Sequence, residues 1–262
     1  MTERGYQLDF ARTHPAMYDP AGRERKADTI VAVLSDALGP RLAHARGLNI
    51  GCSTGLMDSH VAPSMGHLTG IDIDEAAVEF AQQTHASDKL DFRLGDAMSL
   101  DFPDASFDVV LCSQVYEHVP DPQRLMTEIE RVLAPGGVCY LSATNRWCVV
   151  EQHYFLPFLS WLPQRWADAY LRATGKGDHY YERHLGHGRL RKLVRAFAVD
   201  DYTGRLVREP DRFGTAYMID AGWKRRVLSA WLRVAAGSFP GYIWLLRKVD
   251  AAGRADPQVG GR

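Results

Sequence analysis

The chain has 262 residues, 46% hydrophobic and 24% charged, with a formal net charge of −1 at pH 7. That length supports one large α/β domain plus an insertion, and the near-neutral balance excludes bulk electrostatic recruitment of nucleic acid. Nowhere does the chain run for about 18 uncharged apolar residues, the length needed to cross a bilayer, and residues 1–19 carry charges without a signal-type apolar stretch.

The expected elements fall into five blocks. Residues 1–44 form a helical lead-in: Ile30, Val31, Val33, Leu34 and Leu38 recur at helical spacing, and Gly39-Pro40 is a stop signal. Residues 45–146 form a core in which apolar runs at 47–50, 67–71, 90–94, 107–113 and 138–143 alternate with helical patterns, as in a parallel sheet with crossover helices. Before the fifth run, Leu125, Met126, Ile129, Val132 and Leu133 form a helical face, and Pro135-Gly136-Gly137 predicts a tight loop into the strand. Residues 147–190, dense in aromatic residues and histidines, read as an inserted cap. In residues 191–250 the sheet resumes at 196–202 and 242–246 around a basic amphipathic helix at 223–236. The Gly- and Ala-rich tail, 251–262, is expected to be mobile. Cys52, Cys112, Cys139 and Cys148 lack CxxC spacing and read as reduced thiols, three of them in apolar runs, which fits a cytoplasmic enzyme.

Residues 48–55, Leu-Asn-Ile-Gly-Cys-Ser-Thr-Gly, describe a strand entering a small-residue turn ahead of a helix. Gly51 and Gly55 let backbone approach a ligand, and the helix behind them offers unpaired N–H groups. Such turns also serve packing. About twenty residues on, Asp72 ends the next strand, where a carboxylate reaches ribose hydroxyls in doubly wound folds. Asp96, in Gly95-Asp96-Ala97 after the third strand, can accept a hydrogen bond from an adenine amine. Each aspartate alone reads equally as a helix cap or turn residue; their order along the chain points to a nucleotide.

Taken with Phe107-Asp108-Val109-Val110, Glu117-His118-Val119-Pro120-Asp121-Pro122, Leu133-Ala134-Pro135-Gly136-Gly137 and Thr144-Asn145-Arg146, this set resembles class I S-adenosylmethionine-dependent methyltransferases over about residues 45–146. Within that superfamily it is most similar to the branch containing the quinone-biosynthesis O-methyltransferases. The resemblance implies a Rossmann-like, doubly wound seven-stranded sheet, mostly parallel with the last strand antiparallel. It implies S-adenosyl-L-methionine as cofactor: Asn49, Gly51, Cys52, Ser53 and Gly55 around its methionine part, Asp72 on the ribose and Ile73 against the adenine. Asp96 and Ala97 would hold the adenine edge, with Ser113 and Gln114 beside the cofactor. Asn49 stands where the family has an acidic residue, and Ser53 where it has the middle glycine. A nicotinamide enzyme is the nearest rival, but the turn lacks G-x-G-x-x-G spacing.

His118, just past the fourth strand, is the first candidate for a general base; the alternative is that Glu117 and His118 shape the loop or start the next helix. The cap histidines, His153, His179, His184 and His187, are a second pool, and His153, Tyr154, Tyr180, Tyr181 and His184 are the expected substrate-binding residues. His184-Leu185-Gly186-His187 has no acidic or cysteine partner at ligand spacing, so no metal is expected. The helix at 223–236 sets Lys224, Arg225, Arg226 and Arg233 against Trp223, Val227, Leu228, Trp231 and Val234. It could lie on an anionic membrane, giving a peripheral location, or pack on the sheet. The expected activity is methyl transfer to a small-molecule acceptor, at a hydroxyl oxygen of an aromatic, quinone-like, glycan or lipid-linked compound. C- or N-methylation of a natural product and a degenerate cofactor-binding scaffold are the alternatives. No nucleic-acid-reading motif is present.

Overall fold

The computed structural model describes Leu8, Ala11 and residues 18–219 and 222–249. The expected mobile tail and much of the lead-in lie outside them. Helix α1, Pro20–Leu38, starts where Asp19 accepts a hydrogen bond from the Gly22 amide at 3.2 Å, and ends at Gly39, whose φ of 55° no helix continues. It buries Ile30, Val33, Leu34 and Leu38, the face its periodicity predicts.

In the core, strands and helices alternate except between β3 and β4: β1 (Arg46–Ile50), α2 (Leu56–Val61), β2 (His67–Asp72), α3 (Glu75–His85), β3 (Leu90–Leu94), β4 (Phe107–Ser113), α4 (Pro122–Val132) and β5 (Leu133–Thr144). From residue 187 on come α6 (His187–Leu193), β8 (Phe197–Asp201), α7 (Thr203–Arg208), α8 (Gly222–Ala235) and β9 (Gly241–Lys248). The seven-stranded sheet has the order β3-β2-β1-β4-β5-β9-β8. Neighbours from β3 to β5 are parallel, and β9 runs antiparallel to both β5 and β8. Strand order reverses between β1 and β4, which opens a crevice at their carboxyl ends.

Each face of the sheet carries its own core. One packs Leu34 of α1 and Val78 of α3 against Leu68 and Leu111; the other packs Leu125 and Ile129 of α4 and Leu190 of α6 against Val110 and Trp244. All four cysteines are buried and unpaired.

Two expectations change. Pro135-Gly136-Gly137 is not a loop before the strand: β5 begins at Leu133, and the residues form an irregularity where the pairing with β4 shifts register between Phe107 and Val109. Gly136 sits at φ 72°, a left-handed conformation suited to glycine, so the extra length is absorbed within the strand. Helix α8 is amphipathic as expected but buries none of its residues against the sheet. It contacts α7, and Trp223 and Val234 are 67% and 88% exposed. None of the described helices is long and apolar enough to cross a membrane.

Residues 147–190 hold a two-stranded hairpin, β6 (Val150–Glu151) and β7 (Leu156–Pro157), and helix α5 (Gln164–Thr174). Leu156, Leu159, Ala167, Leu171 and Tyr180 form a small core of their own. Tyr116 ties the segment back to the sheet: its hydroxyl donates to the Thr144 carbonyl at 2.9 Å and accepts from the Leu185 amide at 3.1 Å.

Candidate active site

The turn after β1 is built by sterics. Gly51 has φ 78°, and a Cβ there would stand 2.7 Å from a Val115 methyl, so only glycine fits without displacing that side chain. Ser53 also takes a left-handed conformation, φ 50°, which points its amide at Asp72 Oδ2, 2.7 Å away. Asp72 Oδ1 accepts from the Asp74 amide at 3.0 Å. Burial raises the Asp72 carboxyl above its ordinary value, and these two N–H groups oppose the shift. The glycine turn and the acidic end of β2, nineteen residues apart in the chain, are therefore one hydrogen-bonded unit.

Both line a cleft of about 430 Å³ at the carboxyl edge of the sheet. Ile71, Ile73, Asp96 and Ala97 form one wall, and Asp96 is fixed by the Met98 amide donating to Oδ1 at 2.8 Å. Ser113 and Gln114 lie at the end of β4. Gln114 is left-handed, φ 58°, and is pinned by β5: its Nε2 donates to Ser142 Oγ at 3.1 Å and its Oε1 accepts from Thr144 Oγ1 at 2.8 Å. The hairpin tip adds Gln152, His153 and Phe155, and α1 adds Arg23 and Lys26. Neither cation stood out in the sequence, because α1 reads as an ordinary amphipathic lead-in; only the placement of its N-terminal end over the crevice reveals them.

Three of the expected cofactor residues stand behind the cleft instead of lining it. Asn49 is buried and donates to Asp58 Oδ1 at 2.8 Å. Burial lifts the Asp58 carboxyl to about 7, against the opposing pull of the Asn49 bond and Arg23. Cys52 packs on Gly70, where a Cβ would come within 2.9 Å of the Cys52 Cβ. Gly55, φ 74°, caps α2 and leaves room for Phe92 and Ala81, which an added Cβ would meet at 2.6 and 2.8 Å. These two glycines and Cys52 do packing work beneath the turn.

His118 lines the cleft, with its ring edge-on to His153 at 5.0 Å between centroids and its Nδ1 3.9 Å from Glu182. Of the five expected substrate-binding residues, His153 alone reaches the cleft. Tyr154 and Tyr180 pack on each other inside the 147–190 segment, their rings 5.9 Å apart, and Tyr180 belongs to its core. Tyr181 is 44% exposed and stacks edge-on against His179. His184 is buried against Glu151, with Nε2 3.0 Å from Oε1. Glu151 also meets His153 Nδ1 at 2.7 Å and accepts from the amides of His153 and Tyr154 through Oε2. Burial would raise its carboxyl, but these bonds outweigh it and hold Glu151 well below the usual carboxylate range. Glu117, fully buried beside them, is pushed up by desolvation. His187 packs on Tyr242 and Trp244, so the pairing of His184 with His187 suggested by their spacing is not formed.

Residues 48–141 match the family model described as a methyltransferase domain. Over those residues the chain is similar to methyltransferases. Among curated relatives, the ubiquinone biosynthesis O-methyltransferase of Psychrobacter cryohalolentis is 32% identical over 62% of this chain and 63% of its own length. That of Xanthomonas oryzae pv. oryzae strain PXO99A is 29% identical over 76% of this chain and 83% of its own. The chain spans about three fifths of the length of the first curated relatives it matches. An S-adenosylmethionine-dependent methyltransferase from Methanosarcina mazei shares the fold, with a TM-score of 0.51 and 21% identity over 79% of this chain and 93% of that one.

The cleft fits S-adenosylmethionine, the cofactor that the sequence resemblance implies. Its size is that of a small-ligand site, it offers carboxylates to hydroxyl and amine donors, and its apolar wall of Ile71, Ile73 and Ala97 suits a flat base. Arg23 and Lys26 supply positive charge for a carboxylate, and the Gly51 backbone lies bare on its floor.

Proposed function

We propose that the protein transfers a methyl group from S-adenosylmethionine to a hydroxyl oxygen of a small aromatic or quinone-like acceptor. The carrying observation is that one cleft joins Asp72 and Asp96, at the ends of β2 and β3, to His118 and His153 beside the end of β4. The oxygen and the quinone-like class rest on the printed names of the relatives, ubiquinone biosynthesis O-methyltransferases.

In this reading Asp72 accepts from the ribose, Ile73, Asp96 and Ala97 hold the adenine, and Ser113 and Gln114 flank the methionine part. Arg23 and Lys26 face its carboxylate. When bound, S-adenosylmethionine would supply a sulfonium methyl that the acceptor oxygen takes, with S-adenosylhomocysteine leaving. His118 takes the proton that the hydroxyl loses, a step worth about 10²–10⁴ in rate when the base is well placed. The hairpin tip, residues 152–155, covers the acceptor and excludes water, and its exposed Phe155 and half-buried His153 offer flat surfaces to an aromatic ring. Asn49 and Ser53 motivate a scaffold without turnover, yet Asn49 lies behind the cleft and Ser53 serves it through its amide, which favours an active enzyme.

The test is transfer of labelled methyl from S-adenosylmethionine to a panel of phenols, catechols and hydroxyquinones, with thiols, amines and carbon acids as controls. Ether formation supports the reading; products only on nitrogen or carbon move it to those acceptors, and none with any acceptor favours the scaffold. For α8 we read the exposed face of Trp223, Val227 and Val234, on a helix bearing Lys224, Arg225, Arg226 and Arg233 and no acidic residue, as a contact for anionic lipid that brings a lipid-linked acceptor within reach. Sedimentation with anionic vesicles but not with neutral ones is the expected result, and equal binding to both removes it.

A further inference from the structure

We propose that Glu151, His153 and His184 form a binding site for a first-row transition-metal dication, with Zn²⁺ as the probe ion. Their ligand atoms lie within 4.8 Å of one another, with His153 Nδ1 at 2.7 Å and His184 Nε2 at 3.0 Å from Glu151 Oε1. Two imidazoles and one carboxylate are the donor set of open zinc sites, whose ligand atoms stand about 3.3 Å apart when each is 2.0–2.1 Å from the ion, so a small opening of the present cluster suffices. Glu151 is already oriented: its other oxygen accepts the amides of His153 and Tyr154, as outer contacts of metal ligands do.

Charge favours a cation over a purely hydrogen-bonded cluster. Glu151 and Glu182 are both buried, and among the described residues no lysine or arginine ion-pairs with either. His184 Nδ1 is buried without a hydrogen-bond partner, so the ring is held in this cluster only through Nε2. A dication between the three side chains supplies positive charge beside both carboxylates. The ligands come from the hairpin and from the returning chain at 184, outside the matched domain, and sequence spacing fails to show them because Glu151 is 33 residues from His184. His153 also lines the cleft, so the site borders the space assigned above to the acceptor, while ion binding itself does not depend on methyl transfer.

The full chain, stripped with chelator and titrated calorimetrically with Zn²⁺, is expected to bind one ion, and the Co²⁺-loaded protein to show visible ligand-field bands. Glu151→Gln and His184→Gln should each weaken Zn²⁺ by about tenfold or more, with binding of S-adenosylhomocysteine unchanged as the control for folding. Should either buried variant fail to fold, the Co²⁺ spectrum and the half-buried His153→Gln carry the test. The absence of stoichiometric binding overturns the site. So does loss of Zn²⁺ in His118→Ala with retention in Glu151→Gln and His184→Gln, which assigns the ion to the neighbouring Glu117, His118 and His153. Zn²⁺ binding without any adenosyl ligand refutes the methyltransferase reading and leaves this site standing; the reverse refutes this site alone.

Discussion

The cofactor side of the cleft and the 147–190 side are assembled in different ways. On the first, residues close in sequence or on adjacent strands converge through backbone bonds: the Ser53 amide meets Asp72, and the Met98 amide meets Asp96. On the second, side chains far apart meet through side chains: Glu151 with His184 and Glu182 with His118. Backbone-built geometry tolerates substitution of the flanking side chains, which is why Asn49 and Ser53 can depart from the family pattern. Side-chain-built geometry fails with any member.

Substitutions sharpen that contrast. The largest expected effect is at the junction: His118→Ala lowers single-turnover methyl transfer by about a hundred- to ten-thousand-fold and leaves cofactor affinity intact; a preserved rate moves the base to His153. Next is Asp58, beneath the glycine turn, whose carboxyl is pushed up to about 7 in the folded chain. A group with a raised folded pKa holds its proton longer when folded, so stability falls as pH rises from about 4 to about 7 and is flat above. Three units correspond to about 4 kcal/mol, so Asp58→Asn should be more stable than the natural chain by up to that amount at pH 8, with the gain vanishing toward pH 4. Urea unfolding at both pH values checks it, and a gain independent of pH contradicts it. Asp72→Ala removes a carboxylate that two amides orient, and should weaken S-adenosylhomocysteine binding by about 1.5–3 kcal/mol. The smallest is Tyr181→Ala, exposed on the second side, which should change turnover and stability by about twofold or less; a larger loss puts Tyr181 in the acceptor's path.

Much of the first side was legible because local rules govern it. The runs at 90–94 and 107–113 end where β3 and β4 end, that at 67–71 stops one residue short of β2, Asp72 ends β2, Asp96 follows β3 by two residues, and α1 buries most of its predicted face. Asn49, Cys52 and Gly55 stand behind the cleft, because the sequence of a turn does not say which side of it faces the crevice. Tyr154, Tyr180 and Tyr181 do not line the cleft for a larger reason: aromatic density marks a segment that must bury something, and here two of the three tyrosines pack within the segment itself. Arg23, Lys26 and the Glu151 cluster were invisible, since their meaning depends on contacts between distant parts of the chain.

The central claim is that the glycine turn and the two strand-end aspartates hold an adenosyl cofactor. Calorimetric titration of the full chain with S-adenosylmethionine and S-adenosylhomocysteine, with NAD as control, tests it most directly. Micromolar binding of the adenosyl ligands, weakened in Asp72→Ala and absent for NAD, is the predicted result; no heat from either adenosyl ligand, or equal binding of NAD, contradicts it.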